Sequence, residues 1–288
     1  MTYQVNTYMD QQYQIYELTE AVTNSWVKVA PERGGIIISL GIGGRELLFL
    51  NKETFYDPTK NIRGGIPILF PACGQMENAT YEWNGQAYPM PNHGFARNKP
   101  WTVAATDTEE KASITLVLAS DDDTRKYYPF DFELRFTYIL QDGKLTIQQE
   151  YHNRSGADMP MYAGFHPYFR VADKEIRYET DAQRCLNYRD MTIRAFEGVV
   201  DLSDLKQSVA LLDAVTQEIA FDLEDTNQRV VIEYGEEFRF IMLWTEEGQD
   251  FVCVEPWMAL GNELNRKEQL QMVPDGGVLR TEVGISLQ

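Results

Sequence analysis

The sequence of 288 residues carries 26 Lys and Arg against 44 Asp and Glu, a formal net charge of −18. Hydrophobic residues make up 43% of the chain and charged residues 24%, which argues against intrinsic disorder. The acidic balance argues against broad contact with nucleic acid or an anionic membrane, because Lys and Arg must neutralise the phosphates of such partners.

The beginning of the sequence has no basic region followed by an apolar one, so we expect no secretory signal. The apolar stretches are far shorter than the roughly 20 residues that a transmembrane helix needs. Cys73, Cys185 and Cys253 lie far apart and form neither a CxxC pair nor a zinc-ligand spacing. We therefore expect a cytoplasmic protein without a disulfide framework.

Strand-like runs with an apolar period of two dominate the chain. In chain order they are Tyr13–Leu18, Ser25–Val29, Ile36–Leu40, Glu46–Leu50, Ile114–Ala119, residues 132–140 and 145–151, Arg229–Tyr234, Phe238–Trp244, Phe251–Val254 and Val278–Leu287. Asn84-Gly85 and Asp142-Gly143 predict tight hairpins, because these pairs readily adopt the positive φ of a type I′ turn.

Helical patterns are few and short. Asp121–Tyr128 and Ser203–Val215 could each form a helix of a few turns. Closely spaced strands without intervening amphipathic helices predict an all-β protein, an antiparallel sandwich or barrel. No linker, charge block or fixed repeat divides the chain, so we expect residues 1–288 to form a single domain.

Common catalytic and cofactor motifs are absent from the sequence. The glycines of residues 41–44 lack the full dinucleotide-binding spacing and lead straight into another strand, so a hairpin turn is favoured. There is no phosphate-binding P-loop and no GxSxG nucleophile elbow. His93, His152 and His166 show no local metal-ligand spacing, although His93, His166 and one carboxylate could still form a long-range triad.

Four segments do not read as plain sandwich strands. Residues 61–71 contain Arg63, two glycines that would let a ligand approach the backbone, and two prolines within an apolar run. Residues 92–97 place His93 and Arg97 on a loop or strand entry, where such side chains often serve function.

The other two segments carry a histidine and a carboxylate. Residues 163–169 set His166 among aromatic residues, and Pro167 biases it toward an extended backbone. Residues 251–257 deliver Glu255 to the end of an apolar strand, a costly position unless the carboxylate is hydrogen-bonded or used. Taken singly, each segment also fits a structural role: a solvated arginine, a hydrogen-bonded or buried histidine, or a strand exit.

Together, the ordered motifs RGGIPILFP, NHGFAR, FHPYF and VCVEPW resemble the aldose 1-epimerase (galactose mutarotase-like) family, especially its hexose-6-phosphate epimerase branch. The resemblance spans nearly the whole chain and implies a single large antiparallel β-sandwich with a cleft across one face. It also implies an isomerase that interconverts sugar anomers with no metal or redox cofactor. The partner implied is a small sugar or sugar phosphate.

The resemblance also assigns residues. It implies that Glu255 takes the proton of the anomeric hydroxyl, that His166 protonates the ring oxygen and that His93 hydrogen-bonds the sugar. Arg63 and Arg97 match positions that grip phosphate in the phosphosugar branch, a natural bidentate partner for guanidinium.

One family position has no clear equivalent. An Asp that binds sugar hydroxyls is best matched by Asp213, although Asp201 and Asp204 compete. The stretches FPACGQ and LGNELN also depart from common forms, which leaves the preferred sugar open. Two other functions stay open: a carbohydrate-binding module without turnover, and a glycoside hydrolase, which would need two carboxylates about 5–10 Å apart.

Overall fold

The computed structural model describes residues 2–171, 173–202, 208–222 and 228–288. Within these residues the first half of the chain forms strands β1 to β12. Their bounds are β1 Tyr3–Asp10, β2 Tyr13–Glu20, β3 Ser25–Ala30, β4 Ile36–Ile42, β5 Arg45–Glu46, β6 Ile68–Leu69, β7 Thr80–Trp83, β8 Gln86–Pro89, β9 Thr102–Asp107, β10 Ala112–Ala119, β11 Phe132–Gln141 and β12 Lys144–Asn153.

The second half of the chain forms strands β13 to β26. Their bounds are β13 Met159–Met161, β14 Gly164–Phe165, β15 Tyr168–Arg170, β16 Glu175–Glu179, β17 Arg184–Asn187, β18 Thr192–Ala195, β19 Val199–Asp201, β20 Val209–Leu211, β21 Glu218–Asp222, β22 Arg229–Tyr234, β23 Phe240–Trp244, β24 Phe251–Trp257, β25 Gln271–Val273 and β26 Val278–Leu287. The helices of the described residues are short: α1 Lys52–Tyr56, α2 Glu263–Arg266 and the 3-10 turns Pro31–Arg33, Glu77–Ala79, Ala96–Asn98 and Thr124–Lys126.

The strands form antiparallel sheets, which confirms the all-β sandwich. Strands β1 to β5 form one sheet in sequence order. A nine-stranded sheet has the order β19-β16-β21-β22-β26-β12-β11-β10-β9, and a further sheet has the order β18-β17-β20-β23-β24-β14-β6 with β15 also paired to β24. One core cluster draws on all three, for example through Leu18, Phe136 and Leu243. Fully burying each such side chain stabilises the fold by roughly 1.5–3 kcal/mol.

The predicted tight turns are confirmed. Asp142 and Gly143 have φ values of 52° and 69° and connect β11 to β12. Asn84 and Gly85, with φ values of 51° and 78°, connect β7 to β8 in the same way. The glycines after β4 close a hairpin to β5, as expected.

The first predicted helix is wrong, and the second is wrong over the part that the structure describes. Residues 121–128 form a single 3-10 turn at Thr124–Lys126, where the backbone N–H of Thr124 donates to the Asp121 carboxylate. Of Ser203–Val215, residues 203–207 lie outside the described residues, and Val209–Leu211 is strand β20, buried between β17 and β23. A short apolar run that is buried on both faces lacks the alternation that separates strand from helix.

The predicted strand Glu46–Leu50 is only partly formed. Strand β5 ends at Glu46, and the chain continues through single bridges from Leu48 to Phe169 and from Leu50 to Gly64. Among the described residues, no helix has the length and apolar character needed to cross a membrane.

Candidate active site

The residues singled out in the four sequence segments meet at one cavity of about 530 Å³. We call its buried part, formed by His166, Glu255 and Trp257, the floor, and its more exposed part, formed by Arg63 and Arg97, the rim. The complete lining of the described residues is Asn61, Arg63, Gly74, Gln75, Asn92, His93, Arg97, His166, Tyr188, Ser208, Met242, Trp244, Glu255, Trp257, Gly261 and Asn262.

Strand register sets His166 opposite Glu255. Strand β24 pairs with β14 at Gly164–Trp257 and with β15 at Tyr168–Cys253, so the residue midway between the two short strands faces Glu255. His166 Nε2 lies 3.4 Å from Glu255 Oε1. The break between β14 and β15, where Pro167 follows the histidine, leaves the imidazole in the cavity.

Aromatic rings enclose the His166 imidazole. Tyr168 stacks on it at 4.6 Å between ring centroids, and Trp244 and His93 meet it edge-on at 5.6 and 5.4 Å. Its Nδ1 atom is buried and finds no hydrogen-bond partner in another described residue. Burial, then the nearby His93 and the two arginines, holds the pKa of His166 well below its usual range, so the neutral imidazole is favoured.

Glu255 is buried within strand β24 and receives one hydrogen bond from the floor. Trp257, two residues further on the same face of the strand, donates from Nε1 to Glu255 Oε2 at 3.0 Å. Burial raises the pKa of Glu255 well above its usual range, against the opposing effects of this hydrogen bond and of Arg97. The floor therefore favours a protonated carboxyl beside a neutral imidazole, a pair that holds one transferable proton.

His93 is fixed by backbone hydrogen bonds in both directions. The backbone N–H of His93 donates to the carbonyl of Gly74 at 2.9 Å, and the backbone N–H of Gly74 donates to the ring Nδ1 of His93 at 3.1 Å. Because Nδ1 accepts, the neutral imidazole carries its proton on Nε2 and can donate it to a ligand. Burial and the two arginines lower the pKa of His93 to about 3, so it is neutral near pH 7.

The chain turns sharply after His93. His93 has a φ of 63° and Gly94 a φ of 70°. A Cβ atom on Gly94 would lie 2.1 Å from the carbonyl oxygen of Phe70, so no other residue fits without displacing the backbone at Phe70.

Arg97 reaches the cavity from the 3-10 turn Ala96–Asn98. Its Nη2 donates to the carbonyl of Asn92 at 2.8 Å, whereas its buried Nε atom has no partner among the described residues. Burial lowers the pKa of Arg97 to about 10, which still leaves the guanidinium charged near pH 7.

Arg63 lies at the rim, and its main chain is anchored by hydrogen bonds to Asn51 and Thr54. The glycine pair that follows it, which we expect to let a ligand approach the backbone, packs closely against other segments of the chain. A Cβ atom on Gly64 would lie 2.5 Å from Leu50 Cα, so the pair allows two chain segments to approach each other.

The expected aspartate is not brought to the cavity. Asp213 does not line it, and its carboxylate accepts hydrogen bonds from the backbone N–H groups of Gln183 and Arg184 and from the Arg184 side chain. Asp201 lines a different cavity, and Asp204 lies outside the described residues. The cavity lining also includes neutral polar side chains, among them Gln75.

The carboxylates and metal-ligand atoms at the floor are few. Within the described ranges, Glu255 supplies the only carboxylate of the lining, whereas a glycoside hydrolase needs two. One group of described residues offers three ligand types: atoms of His166, Cys253 and Glu255 all lie within 4.8 Å of one another. The group differs from the triad considered above, because Cys253 takes the place of His93.

Several lining residues carried no clear sequence signal. Gln75 and Asn262 fall in the two stretches that depart from common family forms, so those departures were the signal that could have found them. Trp244 ends a strand, and Tyr188 and Ser208 flank segments with no local motif. They reach the site only through sheet pairing over long sequence distances.

Comparison with known protein families gives one family match. The family model for aldose 1-epimerase matches residues 17–277. A protein from Cenchrus ciliaris named "Putative glucose-6-phosphate 1-epimerase" is 29% identical over 225 residues, which cover 74% of this chain and 62% of that protein. A protein of the same name from Salmonella typhimurium is 33% identical over 46% of this chain and 40% of its own. The matched part is thus less than two thirds of either relative.

Solved structures resemble the fold over almost its entire length. The Slr1438 protein from Synechocystis sp. PCC 6803 has a TM-score of 0.93 and 31% identity, with 98% of both chains covered. A galactose mutarotase related enzyme from Lactobacillus acidophilus has a TM-score of 0.76 and 21% identity, with 99% of this chain and 97% of that chain covered.

Proposed function

The chain belongs to the aldose 1-epimerase family, and from this premise we propose that it interconverts the α and β anomers of an aldohexose or a hexose 6-phosphate. The observation that carries the proposal is the pair His166 and Glu255, 3.4 Å apart at the floor of a cavity large enough for a sugar. Carbohydrate binding alone would need no such acid–base pair.

The reaction requires two proton transfers and no other reagent. One proton leaves the anomeric O1 hydroxyl while another reaches the ring oxygen, so the ring opens to the free aldehyde. Rotation about C1–C2 presents the other carbonyl face, and closure reverses both transfers. Two positioned side chains suit this chemistry, since general acid–base catalysis contributes about 10²–10⁴-fold.

We assign Glu255 as the base for O1 and His166 as the acid for the ring oxygen, following the family resemblance. These roles need the proton of the pair on His166, whereas the free site favours it on Glu255. The two atoms are 3.4 Å apart, so one proton can shift between them when the sugar enters. Sugar hydroxyls that hydrogen-bond the carboxylate would favour its ionised form.

His93 is assigned to the sugar ring region. Its Nε2–H is a neutral donor near pH 7, because the pKa is lowered by burial and Nδ1 accepts from the backbone N–H of Gly74. Trp244 and Trp257 add apolar ring surface to the cavity, on which the C–H face of a sugar can pack.

Arg63 and Arg97 are assigned to a phosphate at the rim. Both line the cavity, and Arg97 has a buried Nε atom without a described partner. In a protein of net charge −18, binding a phosphosugar requires local positive charge. Arg63 and Arg97 supply that positive charge, which favours the 6-phosphate over the free hexose as substrate.

We place the protein in a reducing cytoplasm. The support is that Cys73, Cys185 and Cys253 are all free thiols in the structure.

The deciding experiment follows freshly dissolved single anomers by NMR. The α anomers of glucose, galactose and glucose 6-phosphate are each mixed with the protein, and the spontaneous rate in buffer is subtracted. We expect faster exchange with protein, greatest for the 6-phosphate. No acceleration of any of these sugars would refute the proposal, and a faster rate on free glucose would assign a plain aldose 1-epimerase.

A further inference from the structure

Arg63 is not a free cation in this structure. Its Nε donates to Glu246 Oε2 at 2.9 Å, and its guanidinium lies over the Trp244 ring at 5.5 Å from the centroid. Both side chains of the ion pair are about four-tenths exposed, so the pair stands at the solvent boundary of the rim. Nothing in the sequence pattern pointed to Glu246.

The ion pair with Glu246 involves only one edge of the Arg63 guanidinium. Glu246 accepts from Nε, so this hydrogen bond does not consume the two terminal nitrogens. Trp244 below, Glu246 at the side and the nearby Tyr168 hydroxyl restrict the rotation of the guanidinium plane. An arginine held in this way presents terminal donors in a fixed direction, which suits a phosphate oxygen pair.

The same carboxylate also changes the charge of the rim. Among the described residues that line the cavity, Arg63 and Arg97 are the cations, and Glu246 cancels one of them. A phosphate that approaches Arg63 therefore meets a carboxylate on the other side of the same guanidinium. Its repulsion is screened over about 8–10 Å at physiological salt, a range longer than this contact.

We propose that Glu246 is a positioning and specificity-determining residue, which orients Arg63 by holding Nε and weakens phosphate binding by its charge. This inference rests on the proposed function for its substrate, a hexose 6-phosphate. Glu246 thereby narrows the preference for phosphorylated over free sugar, since the free sugar carries no charge for it to repel.

The substitution Glu246→Gln separates the two effects. The amide oxygen can still accept from Arg63 Nε, but the negative charge is removed. We expect the KM for glucose 6-phosphate to fall about threefold to tenfold, with kcat, and the KM for glucose, within about twofold of wild type. Glu246→Ala should improve binding less than Glu246→Gln, because it also removes the acceptor that orients Arg63.

The matched control is Glu247→Gln, the same change in net charge at the next residue, which is exposed. Anomer exchange by NMR gives KM and kcat for both sugars, and calorimetry with inorganic phosphate gives a Kd without turnover. The gain for Glu246→Gln should shrink at 0.5 M NaCl, which a merely structural role would not produce. Glu247→Gln should stay within twofold of wild type.

Three results would overturn the role of Glu246: no change in phosphate affinity, an equal change on both sugars, or the same gain for Glu247→Gln. Failure of the proposed function looks different. Wild type would then exchange no anomer, whereas the Kd for inorganic phosphate would still fall in Glu246→Gln. If no variant binds phosphate, the inference fails regardless of activity.

Discussion

His166 and Glu255 at the floor keep 8% and 1% of their side chains exposed, whereas Arg63 at the rim and its ion-pair partner Glu246 keep 41% and 43% exposed. Both pairs bring a nitrogen close to a carboxylate oxygen, at 3.4 and 2.9 Å. Only the His166–Glu255 pair is shielded from solvent. Burial at the floor shifts the pKa values of His166 and Glu255 toward the neutral forms, whereas the Arg63–Glu246 pair stays in contact with solvent.

This difference separates two kinds of chemistry within one cavity. A buried pair whose charged and neutral forms compete can pass a proton to and from a ligand. The exposed Arg63–Glu246 ion pair acts on a ligand by attraction and repulsion. The floor should therefore control the rate of exchange, and the rim should control the choice of ligand.

The largest effect should come from the floor. His166→Asn and Glu255→Gln should each lower kcat for anomer exchange by about 10²-fold or more, because each removes one of the two proton-transfer groups. Both amides can keep part of the local hydrogen bonding, so the fold should persist by circular dichroism. The matched control is His152→Asn, a half-buried histidine on β12 that pairs with Glu150 away from the cavity. Near-normal polarimetric rates in either folded floor variant would contradict the assignment.

At the rim the effect should be smaller and limited to one substrate. Arg63→Ala and Arg97→Ala should each raise the KM for glucose 6-phosphate about ten- to a hundredfold, since hydrogen bonds to charged groups contribute about 1.5–3 kcal/mol each. Exchange of free glucose should change much less. Arg280→Ala serves as control, because this exposed arginine pairs with Glu150 outside the cavity. An equal rise in KM for glucose and for glucose 6-phosphate would contradict the assignment of a phosphate site to Arg63 and Arg97.

The sequence predicts the floor better than the rim's surroundings. His166 and Glu255 belong to two of the four ordered motifs, FHPYF and VCVEPW, so the family resemblance identifies them although each segment alone also fits a structural role. Glu246 and Trp244 reach Arg63 from about 180 residues away in sequence. Such contacts depend on sheet order and loop shape, which local patterns do not encode.

The same limit explains the errors about the fold. Hairpins were recognisable because Asp142-Gly143 and Asn84-Gly85 carry the turn in two adjacent residues. Val209–Leu211 was mistaken for helix because burial on both faces removes alternation. Asp213 was the best match to a family motif by order alone, but its neighbour Arg184 holds the carboxylate elsewhere.

The floor should also be detectable in stability. Burial raises the pKa of Glu255 above its ordinary value near 4.5, so the folded state binds a proton that the unfolded state releases. The contribution is thus favourable below about pH 4.5 and is lost as pH rises toward the folded pKa. Glu255→Gln does not titrate. Its Tm should exceed that of wild type at pH 8, and by less at pH 4.5.

Calorimetry at pH 8 and at pH 4.5 measures how the Tm difference between Glu255→Gln and wild type changes with pH. Glu247→Gln is again the control, since its exposed carboxylate lies on the surface. A Glu255→Gln variant that is destabilised more at pH 8 than at pH 4.5 would mean that the folded state prefers the ionised carboxylate. Glu255 would then be a charged carboxylate in the folded state.

The smallest expected effect is that of metal removal. His166, Cys253 and Glu255 offer nitrogen, sulfur and oxygen within 4.8 Å, ligand types that zinc accepts. The proposed proton transfers need only His166 and Glu255. Burial raises the pKa of the Cys253 thiol, which disfavours the thiolate that a metal requires. Dialysis against a strong chelator should therefore leave kcat/KM for glucose 6-phosphate within about twofold, in wild type and in Cys253→Ser alike. A loss that one divalent metal restores in wild type, but not in Cys253→Ser, would instead make the floor a metal centre and its acid–base pair a ligand set.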